Sequence, residues 1–153
     1  MVTVSASIIV ERPVEEIFAF VADARNNPLW QSTSGLRETR QLPESPVGVG
    51  TQITETWHFM GVTAHSTCEV TEYEPSSRYA RHLLSGPSPI THGTQIFEPL
   101  AEGTRWTSTV LVQADGAFPV AEAVLAAELK RALEAGMAEA KALLERRMVD
   151  NAR

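Results

Sequence analysis

The run PVAEAVLAAELKRALEAGMAEAKALLERRM, residues 119–148, reads as one long amphipathic helix from Pro119 to Met148. Leu125, Leu129, Leu133, Met137 and Leu144 recur at helical spacing and mark its inward stripe. Ala121, Ala132, Gly136 and Ala140 lie on nearly the same face. Small side chains leave volume unfilled where a solid core would be close-packed. A sheet closing over such a face encloses a hollow, so a pocket for an apolar molecule is the first expectation. The competing reading is that alanine favours helix and that small residues let the backbone approach the sheet.

Working outward, the chain before this helix is mostly strands. Val2 to Val10 alternates, with Val4, Ala6 and Ile8 on one side and Ser5, Ser7 and Ile9 on the other. Pro13 suits the first position of a helix, Glu15 and Glu16 complement its dipole, and Ile17, Phe18, Phe20 and Val21 form its apolar face. Asp23 is placed to cap a second short helix, which Asn26-Asn27-Pro28 breaks before Leu29-Trp30. Period-two segments then follow at Leu36–Leu42, Thr51–Met60, Val62–Tyr73, Arg78–Leu84, Ile90–Pro99 and Thr104–Ala114, separated by turn residues. With the first strand they make a seven-stranded antiparallel meander.

At 153 residues the chain reads as one domain, residues 1–150, with a frayed tail at 151–153. A domain of this size buries roughly 70% of its unfolded surface without a staple. The single Cys68 excludes an intramolecular disulfide and fits a reducing compartment. The net charge of −6 argues against a nucleic-acid partner and against an anionic membrane surface. The opening MVTVSAS lacks the basic start of a signal peptide, and no apolar run approaches a membrane span. The expected location is soluble and cytoplasmic, without membrane insertion.

The segment VERPVEEIFAFVAD, residues 10–23, then NPLW at 27–30, GVGT at 48–51, EVTEYEP at 69–75 and GTR at 103–105 follow one another in a recognisable register. They resemble the START-like (SRPBCC) superfamily, in its polyketide cyclase/dehydrase branch, over nearly the whole chain. The resemblance implies an α+β helix-grip fold: a curved seven-stranded antiparallel sheet wrapped around the long C-terminal helix, with two short helices after strand 1. It also implies a cavity between sheet and helix, entered near the short helices. Members of the family bind lipids, sterols, polyketides or plant hormones, and some are aromatase/cyclases or hydrolases. The family carries no universal catalytic motif, so no catalytic residue follows from the resemblance.

Strand parity nominates the site residues, because neighbours point to opposite faces. Ile53, Glu55, Trp57 and Phe59 share an apolar face that should look inward. A carboxylate among Trp and Phe is costly unless paired, and burial of this kind is how a general acid is made. The alternative places Glu55 at the sheet's rim, or turned outward by a bulge. In Arg78–Leu84 the pattern barely decides between Tyr79, Arg81, Leu83 and Ala80, His82, Leu84; the family resemblance favours the first set as inward. Arg81 would then enter the cavity and pair with Glu55 or hold a ligand oxygen; in the reverse register His82 takes that place. Phe97, Gln95, Gly93 and Thr91 form the expected inner face of their strand, and Trp106, Ser108, Val110 and Val112 that of the next.

The candidate ligand-binding residues are Trp30, Trp57, Phe59, Tyr79, Gln95, Phe97, Trp106, Phe118 and Met137, with Trp30 and Phe118 expected near the mouth. Glu55 and Arg81 are the weak catalytic candidates. His58, His65, His82 and His92 lie on different strands with mixed parity, so no metal site is expected. No Gly-x-Ser-x-Gly elbow is present, and Gly48-Val49-Gly50 precedes a strand rather than a helix, so no cofactor is expected. The leading functional reading is binding of a small hydrophobic molecule, lipid or polyketide-like. The rival is a cyclase/dehydratase using cavity acid/base residues. A third is a closed interaction module, homodimeric through the outer sheet face.

Overall fold

The computed structural model describes residues 1–44, 46–114, 118 and 120–151, with side chains to residue 146. Strand β1 (Val2–Val10) leads into helix α1 (Val14–Val21), a 3-10 turn at Ala24–Asn26, helix α2 (Asn27–Gln31) and a second 3-10 turn at Ser32–Ser34. Strands β2 (Leu36–Leu42), β3 (Gln52–Phe59), β4 (Val62–Glu74), β5 (Arg78–Ser85), β6 (Ile90–Leu100) and β7 (Gly103–Val112) follow, then helix α3 (Glu122–Asn151). The strands form one seven-stranded antiparallel sheet in the order β1-β7-β6-β5-β4-β3-β2. This is the expected α+β helix-grip architecture, a meander with β1 added beside β7.

Alternation decides what the sheet buries. On β7, Thr104, Trp106, Ser108, Val110 and Val112 are buried while the residues between them are not. On β1, Val4 and Val10 are buried and Ser5 and Ser7 are exposed; the two serines pair with Thr109 and Thr107 on the outer face. Bulges change the phase. One between Val70 and Glu72 puts Val70 and the half-buried Tyr73 against the same core, although they are three residues apart. Another between Ile90 and His92 pairs Ile90 with the inward Val112 and His92 with Leu111. Met60 and Gly61, both at positive φ, close the two-residue β3–β4 hairpin, the geometry that matches strand twist.

Three expectations near the helices change. Pro28 does not break a helix; it lies in the first turn of α2, where a missing N–H costs nothing, and Trp30 is helical. Asp23 caps the preceding 3-10 turn instead, its carboxylate accepting from the Arg25 N–H. Helix α3 starts at Glu122 and is still helical at Asn151; Pro119, Ala152 and Arg153 lie outside the described residues.

α3 buries Leu125, Leu129, Met137, Ala140 and Leu144 against the sheet, as its periodicity predicts. Its C-terminal half is tied to the end of β1 by polar contacts: Lys141 Nζ donates to the Ile9 carbonyl at 2.6 Å, and the Glu11 N–H donates to Glu145 at 2.9 Å. Ser34 Oγ donates to the Ala132 carbonyl at 2.9 Å, which holds the second 3-10 turn on α3. Among the described residues, no helix is long and apolar enough to cross a membrane.

Candidate ligand cavity

The concave face of the sheet does not meet α3 everywhere. One aromatic-rich cluster gathers Phe18, Trp30, Tyr79, Phe97, Trp106 and Met137; another gathers Val110, Phe118, Leu125 and Leu129. A cavity of about 160 Å³, partly open to solvent, lies beside both clusters. Its wall combines the inner faces of β3 to β7 with α2, α3 and the Pro87–Pro89 turn.

The structure divides the aromatic candidates. Trp30, Trp57, Phe59, Tyr79, Gln95 and Phe118 line the cavity. Phe97, Trp106 and Met137 are not on its wall. They are nearly fully buried one layer behind it, because Trp106 stacks on Phe97 at 6.3 Å and meets the Trp30 edge at 5.3 Å. Trp30 and Phe118 are each 4% exposed, so they form inner wall rather than lip. Parity named the inward face correctly but could not separate wall from backing, which depends on where α2 covers the sheet.

Glu55 is 2% exposed and on the wall, neither at the rim nor turned out. Its Oε1 accepts from Arg81 Nη2 at 3.3 Å, and its Oε2 accepts from Asn27 Nδ2, also at 3.3 Å. β3 supplies the carboxylate, β5 the guanidinium and α2 the amide. Burial opposes the Arg81 charge, but the Glu55 carboxylate, helped by Cys68 and Tyr79, outweighs it and leaves its pKa above the ordinary value. Arg81 Nη1 is buried with no hydrogen-bond partner among the described residues. Ser108 Oγ and Trp30 Nε1 share that condition. Tyr79 is pushed up to about 12 by burial, partly countered by Arg81, so it stays a neutral donor at physiological pH.

Cys68 is half-buried and also reaches the wall. Burial pushes its thiol up despite the nearby Arg81, the opposite of what a nucleophilic cysteine needs. Of the four histidines only His92 lines the cavity, its ring 6.2 Å from that of His82; His58 bonds Thr63 at 3.1 Å and His65 bonds Thr56 at 2.9 Å. Among the described residues no cluster of three or more His, Cys, Asp or Glu side chains is placed to hold a metal.

Asn27 and Ser108 join the site without having been named for it. Ser108 was legible, since parity already put a hydroxyl on the inner face of β7. Asn27 was not, because its contact depends on how α2 docks.

This arrangement of sheet, gripping helix and hollow is accompanied by a family-wide sequence match: the model for "Polyketide cyclase / dehydrase and lipid transport" fits residues 1–145. The chain belongs to that family. The fold of this family member also superposes on several solved structures. TTHA0849 from Thermus thermophilus aligns with TM-score 0.74 at 16% identity, over 92% of this chain and 94% of that one. A START superfamily protein from Mycobacterium smegmatis gives TM-score 0.72 at 18% identity, over 94% and 97%. The di-domain ARO/CYC StfQ from the steffimycin biosynthetic pathway gives 0.73 at 17% identity, over 96% of this chain and 52% of StfQ. At such identities the likeness is one of fold. No curated protein sequence matches the chain.

Proposed function

We propose that this protein binds a compact, largely apolar molecule carrying an acidic or strongly accepting oxygen, in the cavity between sheet and α3. The observation that carries the reading is Arg81. Its Nη2 is committed to Glu55, while Nη1 is buried beside the cavity without a partner among the described residues. A buried donor of this kind is costly unless something accepts from it. Aromatic and aliphatic walls supply the burial, and the guanidinium fixes orientation.

The volume narrows the class. A dry cavity of about 150 Å³ takes a benzene-sized molecule. At about 160 Å³ this one suits a ring or a small fused system, polyketide-like, whose remainder extends through the opening, rather than an enclosed acyl chain. The family description, which names both cyclase/dehydrase activity and lipid transport, is compatible with either carriage or catalysis.

The test is native mass spectrometry of the purified protein, with extraction of retained compounds and titration with benzoate and naphthoate. Retention of a compact ring compound, or saturable binding weakened in Arg81→Met, supports the reading. Failure of every ring carboxylate to bind, or binding indifferent to Arg81, sinks it.

A second reading, a cyclase/dehydratase, is favoured by the meeting of Glu55 and Arg81 on the wall, with Asn27 bonded to Glu55 from α2. It takes second place because both Glu55 oxygens are already engaged. If it holds, Glu55→Gln spares binding and abolishes turnover of a poly-β-ketone analogue; unchanged turnover removes Glu55 from the mechanism.

A further inference from the structure

We infer that the cavity holds a second polar subsite, formed by the Gln95 amide and the Ser108 hydroxyl, that selects ligands bearing a neutral ketone-type oxygen. This rests on the cavity-binding reading above and specifies the ligand further.

The argument starts with Trp106. An indole N–H only donates, and here it donates to Gln95 Oε1 at 2.6 Å. Trp106 is fully buried between Trp30 and Phe97, so its ring has no freedom to reorient. The bond therefore fixes which end of the Gln95 amide is which. The oxygen is used behind the wall, and the NH₂ remains as a donor on a residue that lines the cavity.

Directly across the β6–β7 pairing from Gln95 stands Ser108. It is 0% exposed, it lines the same cavity, and its hydroxyl has no partner among the described residues. Alanine would fit there without that cost, as Ala6 does opposite it on β1. A hydroxyl and an amide NH₂, side by side on neighbouring strands, offer two donors to one acceptor. A carbonyl oxygen with two lone pairs satisfies both. Neither group brings a charge to offset the desolvation of an anion, so a neutral oxygen is the better fit.

This subsite is separate from the ion pair. Arg81 pairs across β5–β6 with Gly93, and Gly93 precedes Gln95 by two residues on β6, which sets the two polar rows about 7 Å apart. Gly93 contributes no side chain between them; even a Cβ there would meet only Val110, at 3.8 Å. One ring system therefore spans an oxygen at Arg81 and another at Gln95 and Ser108.

The test compares acetophenone with ethylbenzene, which share a ring and nearly a shape, by chemical-shift titration of the intact protein. Apolar partitioning favours ethylbenzene in any pocket, so the readout is the change between variants. Ser108→Ala should weaken acetophenone about fivefold, the worth of a neutral hydrogen bond, and leave ethylbenzene within about twofold. Gln95→Glu, which keeps an acceptor for Trp106 and removes the NH₂, should shift preference from acetophenone toward 1-phenylethanol. An acetophenone affinity unmoved by Ser108→Ala, as expected if Arg81 alone reads the oxygen, overturns the subsite while leaving the cavity reading intact. Failure of acetophenone to bind a wild-type protein that takes up benzoate overturns the subsite alone, and failure of benzoate as well overturns the two together.

Discussion

Gly136 of α3 lies directly beneath Trp30 of α2: a Cβ there would stand 3.2 Å from the Trp30 carbonyl oxygen and 3.4 Å from its indole Cε3. The gap in the helix stripe at this point is taken up by a tryptophan, and both residues border the cavity. Both readings of the small residues therefore hold, each for part of the stripe. Gly136 permits close approach, and the space left around Ala132 and Leu133 contributes to the hollow.

Gly136→Leu should accordingly displace α2 rather than simply plug the cavity. Overpacking against a backbone carbonyl predicts a loss of about 2 kcal/mol or more, beyond what better helix propensity returns. Urea unfolding measures it. A variant as stable as wild type that has merely lost ligand binding would show that the leucine points into open space.

The Glu55–Arg81 pair should behave as a buried unit. Removing either partner leaves the other charge unpaired, while Arg81 keeps some solvent contact, so Glu55→Gln and Arg81→Met should each cost about 2–3 kcal/mol. The double variant Glu55→Gln/Arg81→Met should recover part of that loss. Additive losses across the cycle would mean the pair is not coupled.

Tyr79 predicts a signature in alkali. Its ionisation lies near 12, above the usual tyrosine range of about 10, because burial disfavours the phenolate. The folded pKa is raised, so the stabilisation is fully present below pH ~10 and is lost as pH climbs toward 12. In a titration at 295 nm, Tyr79→Phe should remove a late tyrosinate step. It should also flatten the alkaline fall in stability, and an unchanged late step would assign that ionisation elsewhere.

Cys68 should react slowly. Burial raises its thiol pKa, so a disulfide reagent such as DTNB should modify the native protein at least about tenfold more slowly than the urea-unfolded chain. Because Cys68 is on the wall, a bound ring compound should slow it further. Rapid native labelling, insensitive to any ligand, would place the thiol outside the cavity's protection.

Much of this molecule was legible from residue order alone. Period-two alternation placed Ile53, Glu55, Trp57 and Phe59 on one inner face, and Trp106, Ser108, Val110 and Val112 on another. Helical spacing named Leu125, Leu129, Met137 and Leu144 as the buried stripe. These signals survive because strand and helix periodicities are local, and one buried face suffices to write them into the chain. The aromatic candidates were harder. Phe97 and Trp106 have the same chemistry and parity as residues on the wall, and Met137 shares the inward stripe of α3 with Leu129 and Leu133, yet all three stand behind it.

What the sequence determined by itself is the order of strands and helices and the set of side chains on each inward face, because both follow from spacing within single elements; the helix-grip arrangement of those elements was implied by the family resemblance. Only the tertiary structure decided which of those side chains meet. Asn27 reaches Glu55 and Trp30 covers Gly136 through contacts between elements far apart in the chain, and Trp106 orients Gln95 across the β6–β7 hairpin. Such contacts depend on sheet curvature, on bulges that shift the phase of β4 and β6, and on the docking of α2, which no local period encodes.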